Sequence, residues 1–333
     1  MLNKCAGTMD EFSDNNLKNE YLSRLNRTID YIHQHSHENL SLDTLADVAC
    51  FSKFHFHRIF KAILGETVNE FVQRIRLEKA FGQLMLHRYK PITDIALDTG
   101  FSSSQNFARS FKAQYSMTPS QARSEHNWER VMKRMQAIDG RKIDAQSSEE
   151  TVLSRDYISQ LKGSLEKRLA TSPEMQVTIQ KLPPYRVAYI RNWGPISLKT
   201  GDAMFKRLLQ WADSRGAIDD GAMVMLVVWN SPYFTPPEKL INDACITVPV
   251  STVADRWVNI QSLPGGDFAV HRCDIDTHLQ EEAWLNFLLN WLAKSDYQPD
   301  DRPAYTLYYD YPEPSATARV LADLCLPIKP LMQ

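Results

Sequence analysis

Residues Ala96–Arg123 read ALDTGFSSSQNFARSFKAQYSMTPSQAR, a short helix, a tight turn and a second helix whose apolar positions recur at helical spacing. An altered copy lies upstream. Leu45-Ala46-Asp47-Val48-Ala49-Cys50-Phe51-Ser52 aligns with Ile95-Ala96-Leu97-Asp98-Thr99-Gly100-Phe101-Ser102. After a slip of one residue, Phe56, Arg58, Phe60 and Lys61 fall on Phe107, Arg109, Phe111 and Lys112. In each second helix an Arg follows an aromatic residue by two positions, so it points away from the buried stripe. A helix, a sharp turn and an amphipathic helix with polar outer positions fit a DNA major groove, and two copies imply two grooves met by one chain.

Local signals sharpen both copies. Ser41 is expected to cap a helix carrying Leu42, Leu45, Ala46 and Ala49. Ser52 caps the next, over 53–63, and Gly65 ends it. Phe56, Phe60 and Ile63 share its buried face, which leaves Phe54, His57, Arg58 and Lys61 on or near the outside. Phe54 either meets a thymine methyl or packs on the neighbouring helix. In the second copy Pro91 opens the unit with Thr93 as cap, and Gly100 supplies a turn residue without a Cβ. The first copy has Cys50 there, which predicts a turn built differently. Ser103 caps the second reading helix, Phe107 and Phe111 bury, and Ser104, Gln105, Ala108 and Arg109 lie outward. Gln suits adenine and Arg suits guanine. A longer helix over 66–86 joins the copies; its Arg74, Arg76 and Lys79 either contact phosphate or are solvated.

SLDTLADVACFSKFHFHRIFKAILGETVNEF, VQRIRLEKAFGQLML and PITDIALDTGFSSSQNFARSFKAQYSMTPSQAR together make residues Tyr21–Arg123 resemble the DNA-binding domain of the AraC/XylS family of transcription regulators. The resemblance implies that the 66–86 helix sets the separation of two reading units. It also implies base contacts from the early outer positions of each reading helix, here Phe54, His57 and Arg58 in the first and Ser104, Gln105, Ala108 and Arg109 in the second.

The 333-residue chain is long enough for two domains, and 43% hydrophobic with 23% charged residues is a globular composition. The charge is uneven. Lys and Arg outnumber Asp and Glu by 18 to 13 over residues 21–145, and acids lead by 19 to 14 from residue 173 onward, which agrees with DNA binding by the front half. No apolar run of about eighteen residues predicts a membrane span. The polar start MLNKCAGTMDEFSDNN is not a secretory signal, and five scattered cysteines read as reduced thiols, so a cytoplasmic location is expected. Residues 1–20 are expected to be a disordered tail. Residues 21–125 form the all-α double helix-turn-helix domain, 126–172 a partly helical linker, and 173–333 the rear domain. His33 and His37 stand at i,i+4 spacing, but no third ligand accompanies them. A solvated helix end is the favoured reading, and neither metal nor cofactor is expected.

From Met175 the texture changes to β-branched and aromatic residues. VTIQKLPPYRVAYI at Val177 returns as VNIQSLPGGDFAVH at Val258, LLQWADSRG as LLNWLAKSD, VVWNSP as LYYDYP, and DACITVP as DLCLP. This predicts an α+β domain with an antiparallel sheet built from a twofold internal repeat, over about 175–250 and 256–330. TPPEKLINDACITVP and DLCLPIKPL make it resemble the GyrI-like effector-binding domain. That resemblance implies a cleft between the repeats that takes hydrophobic, often cationic, small molecules on aromatic rings. Its candidate lining is Tyr189, Trp193, Trp229, Tyr233, Tyr305, Thr306 and Tyr308, with Tyr309 beside it; each ring is equally compatible with ordinary core packing. The family commonly has Glu where this chain has Thr306; Glu281 and Glu282 are partial substitutes for that acid, but a neutral or aromatic effector is expected and hydrolysis is not.

The sequence therefore predicts a ligand-responsive, non-enzymatic transcription regulator whose partners are double-stranded DNA, a small-molecule effector and RNA polymerase. Monomer and dimer stay open. A hydrolase, or a protein-interaction module fused to a DNA-binding domain, is the alternative.

Overall fold

The hydroxyl of Ser41 accepts the Thr44 amide at 3.0 Å, and that of Ser103 accepts the Asn106 amide at 3.2 Å. These caps start α2 (Leu42–Val48) and α6 (Ser104–Tyr115) where the sequence places them. The computed structural model describes residues 6–86, 90–124, 175–231, 235–276, 279–292, 295–309 and 319–330. The front half holds seven helices among them: α1 (Ala6–His35), α2, α3 (Lys53–Leu64), α4 (Val68–Leu86), α5 (Ile92–Asp98), α6 and α7 (Pro119–Ser124). Several details differ from expectation. The stretch expected to be a disordered tail is helical from Ala6. Pro91, not Thr93, takes the cap position of α5. Thr67 with Glu70, and Thr118 with Gln121, exchange backbone–side-chain hydrogen bonds in capping boxes that start α4 and α7. Ile63 is 38% exposed, so Phe56 and Phe60 alone anchor α3 at full burial.

The turn at Cys50 is built like the one at Gly100. Both have positive φ, 53° and 89°. In both, this residue's amide bonds three residues back and the next amide bonds five back, at 2.9 and 3.0 Å. The expected difference between the turns is absent because Cys50 accepts the left-handed conformation on an exposed corner.

Two apolar cores lie side by side. Leu25, Ile29 and Ile32 of α1 pack with Leu45, Phe56, Phe60 and the first half of α4 (Val68, Phe71, Ile75). The second half of α4 (Leu77, Phe81, Leu84) packs with Ile95, Phe107, Phe111 and Ala122. One continuous helix thus belongs to both units. Neither reading of its cations holds. Arg74 is buried between Glu66 and Glu78, at 2.7 and 3.0 Å. Arg76 donates to the carbonyls of Ser36 and Glu38, and Lys79 to the carbonyl of His33, which satisfies the end of α1. The expected linker, 126–172, lies outside the described residues.

The rear half is an antiparallel sheet with β1 (Thr178–Leu182), β2 (Tyr185–Trp193), β3 (Val224–Val228), β4 (Ile241–Thr247), β5 (Asn259–Leu263), β6 (Gly266–Asp276), β7 (Tyr297–Pro299), β8 (Ala304–Tyr308) and β9 (Arg319–Pro330). The strand order is β1-β6-β9-β8-β3-β4-β2-β5, with β7 paired to β9. α8 (Leu198–Asp213) and α9 (Gln280–Asn286, continued by a wider turn Phe287–Trp291) cover the same face. The opposite face curls on itself. Tyr185 on β2 and Tyr305 on β8 are three strand spacings apart, about 14 Å in a flat sheet, yet their rings lie 6.4 Å apart. That curl encloses Val187, Met225, Val227, Cys245, Phe268 and Cys325.

Candidate nucleic-acid interface and effector groove

Burial of Phe56 and Phe60 on one side of α3 turns its other side outward. Phe54 is 74% exposed, Arg58 and Lys61 are exposed, and His57 is half-buried. The Arg58 guanidinium sits 5.7 Å from the Phe54 ring centroid, a cation–π contact that leaves the charge in water. Phe54 therefore does not pack on the neighbouring helix. On α6, Gln105, Arg109 and Lys112 are exposed, and Ser104 and Ala108 are half-buried. All seven residues expected on the reading faces are at or near the surface, carried by two helices anchored in separate cores.

The candidate effector residues do not converge. Tyr189, Trp193, Trp229 and Tyr305 lie on the curled face, whereas Thr306 and Tyr308 lie under the helices; Tyr233 is outside the described residues. Strand alternation explains the split, since Thr306 pairs with Leu226 and Leu324 while its neighbour Tyr305 pairs with Val227 and Cys325.

On the helix side the sheet is sealed beneath α8, where Ala188 and Ala244 are fully buried, and beneath α9, where Ala269 and Leu324 are. Between the helices Val224, Leu226, Val228 and Tyr308 stay only half-buried although they occupy the two central strands. This is an apolar groove with one polar point. Thr306 Oγ1 accepts from Gln280 Nε2 at 2.9 Å and Trp284 Nε1 at 3.0 Å, and the Tyr308 hydroxyl donates to Gln280 Oε1 at 3.0 Å. These three hydrogen bonds join neutral groups.

On the curled side Tyr189, Trp193 and Trp229 meet the front domain. The Tyr189 hydroxyl donates to Asp30 of α1 at 2.6 Å, and Arg191 bridges Asp30 and Asp243, each at 2.7 Å. Trp229 Nε1 and Gln261 Nε2 donate to Asp243 at 2.6 and 3.1 Å. Asn259 donates to the carbonyl and hydroxyl oxygens of Ser23, and Lys239 reaches Glu66 at 2.9 Å. Ile241 is part of the first helix-turn-helix core, and Trp193 and Trp229 pack against it. Burial pushes the Asp30 carboxyl above its ordinary value although Arg191 pulls it back. The Arg191 guanidinium is disfavoured by burial, but Asp243 and Asp30 more than compensate and hold its pKa well up. Asp30, Arg191 and Asp243 were not singled out from sequence. The available signal was an Arg and an Asp inside otherwise apolar strands, which demand partners.

His33 is not a solvated helix-end residue. It is buried, its ring 4.9 Å from that of Trp229. Burial first, then Lys79, Arg191 and Arg74, hold its pKa well below 6.5. The unfolded chain therefore takes up a proton at a pH where the folded chain does not, and stability present above 6.5 is lost as pH falls below it. The slope is about 1.4 kcal/mol per pH unit until the buried ring itself protonates. Urea unfolding at pH 7.5 and 5.5 should show this loss, and His33→Phe should flatten it. Parallel pH profiles for the two proteins would remove His33 as its source. Among the described residues no group of three or more His, Cys, Asp or Glu is placed to hold a metal, and no helix is long and apolar enough to cross a membrane.

Two family models match separate parts of the chain. Residues 45–125 match the family model of the helix-turn-helix domain, and residues 175–329 that of the GyrI-like small molecule binding domain. The chain therefore carries an AraC-type helix-turn-helix domain in its front half and a GyrI-like domain in its rear half. The HTH-type transcriptional regulator YbfP of Bacillus subtilis is 39% identical over 99 residues, covering 30% of this chain and 33% of that protein. The transcriptional regulator Rob of Salmonella typhimurium is 39% identical over 98 residues, 29% of this chain and 34% of that one. The chain thus spans about a third of these relatives' own lengths. A solved AraC-type transcriptional regulator from Chromobacterium violaceum is 27% identical, with a TM-score of 0.30 over 31% of this chain and 91% of that one.

Proposed function

We propose that this chain is a sequence-specific DNA-binding transcription regulator whose rear domain binds a neutral hydrophobic or aromatic effector. The observation that carries the reading is the pair α3 and α6, each buried along one side and each presenting Arg, Lys and short polar groups outward from cores that share α4. Held this way, the two helices suit successive major grooves on one side of a duplex. Phe54, His57 and Arg58 would read one half of the site, and Ser104, Gln105, Ala108 and Arg109 the other. RNA polymerase is the further partner such a regulator implies. Selection from random duplexes should return a bipartite motif. Arg58→Ala and Arg109→Ala should each cost about 1–3 kcal/mol at one half and relax its sequence preference. Unchanged preference in both variants would reassign the reading faces.

The groove between α8 and α9 is the proposed effector site. Its half-buried floor offers apolar area, and Thr306, Gln280, Trp284 and Tyr308 offer neutral hydrogen-bonding groups, which favours a neutral ligand over a cation. The site is proposed to bind without turnover. The position of Thr306 under the helices supports keeping it in the proposed lining, and the contacts of Tyr189, Trp193 and Trp229 with the front domain support removing them from it. Saturable uptake of Nile red, a neutral aromatic dye, is the first measurement.

We also propose that the rear half consists of two copies of one unit. Arg191 pairs directly with Asp243 across β2 and β4, and Arg272 with Asp323 across β6 and β9; the strand order reads as two matching halves meeting at β8 and β3. The first pair is covered by α1, whereas Arg272 has a side chain 60% exposed.

A further inference from the structure

The floor of the proposed groove and the contact with α1 are consecutive in the chain. β3 lends Val224, Leu226 and Val228 to the groove and ends there. The next residue, Trp229, turns to the other side of the sheet, donates to Asp243 and lays its ring against His33 of α1. Its ring also lies 5.7 Å from the Arg191 guanidinium, which holds Asp30. α1 in turn supplies Leu25, Ile29 and Ile32 to the core on which Phe56 and Phe60 of α3 are seated. A shift of β3 under a ligand has one residue to cross before it reaches the helix that supports the first reader.

We infer that Trp229 is a positioning residue that couples the groove to the DNA-reading domain, and that the Asp30–Arg191–Asp243 cluster is the clasp against which it works. The inference deepens the proposed effector reading and rests on it for the identity of the groove. The seam leaves the outer side of α3 open, with Phe54, Arg58 and Lys61 exposed while α1 is docked, so it orients the reader and does not occlude it. Coupling of this kind is reciprocal: whatever factor a groove ligand applies to DNA affinity, DNA applies to the ligand.

The test uses the full chain, a duplex recovered by selection, and Nile red. Duplex should change Nile red affinity about fivefold or more. Trp229→Phe keeps the ring and loses the Nε1–H donor, and Asp30→Asn loosens the clasp; both should bring that factor toward one, with each separate affinity and the melting temperature recorded alongside. A merely structural Trp229 would lower stability and leave the factor intact, which overturns the inference. Hydrogen exchange supplies an arm free of the dye. Duplex should alter exchange across residues 224–247 in the native chain and much less in either variant. An unresponsive β3 in the native chain also overturns the coupling. Failure of Nile red to bind, with β3 still responding to duplex, would instead sink the groove reading and leave the coupling standing.

Discussion

Arg191→Met should destabilise the folded chain by about 3–5 kcal/mol, the cost of leaving buried charge without its partner. The Arg191 side chain is 1% exposed and grips two carboxylates, Asp30 from the front domain and Asp243 from the sheet. Methionine fills similar space and cannot compensate either. Asp243 would keep the Trp229 and Gln261 donors and Asp30 would keep Tyr189, so the site would survive as an acid-rich pocket. The pH dependence distinguishes this from lost packing. Without the guanidinium, burial and the Asp243 charge act on Asp30 against only the Tyr189 hydrogen bond, and its folded pKa rises further above 3.8. A folded pKa above the unfolded one means stability lost as pH rises, so the variant should recover part of its loss as pH falls from 7 toward the ordinary carboxyl range. Asp30→Asn and Asp243→Asn added to Arg191→Met should restore much of the rest. A loss under about 1 kcal/mol, in urea titrations followed by circular dichroism, would mean that the domains are not clasped as described.

Gly100→Ala should cost about 2–4 kcal/mol, more than its single methyl group suggests. The residue has φ of 89°, and a Cβ there would stand 2.8 Å from the Ser36 carbonyl oxygen and 2.9 Å from Arg76 Nε. Neither neighbour has room to give, because Arg76 donates to that same carbonyl at 2.7 Å and to Glu38. The damage should spread from the α5–α6 turn to the end of α1, visible as faster hydrogen exchange in both. Cys50, in the same turn of the first unit, already carries a Cβ in the left-handed region on an exposed corner, so Cys50→Ala should be nearly silent. Equal sensitivity at the two positions would contradict the close approach at Gly100.

The helix-turn-helix units were legible because each problem there is local. Ser41 and Ser103 lie within a turn of the amides they cap, and Phe56 and Phe60, like Phe107 and Phe111, lie four residues apart on one face. The rear site was harder for a reason that β4 shows. Every residue from Ile241 to Ile246 is buried, so apolar character does not say which side chains face α8 and which face α1. Tyr189 and Thr306 looked equivalent as cleft candidates until strand register put them on opposite faces.

Periodicity, caps and turn residues, all acting over a few residues, were enough to determine the two reading units, the outward direction of Arg58 and Arg109, and the change to an antiparallel sheet near residue 175. Only the tertiary structure decided that α1 docks on the curled side of the sheet, that Arg191 needs Asp30 as well as Asp243, and that Trp229 belongs to the seam. Those outcomes depend on charges distant in the chain that become neighbours only when both domains exclude water from the same place, and no local pattern encodes which two surfaces will do so.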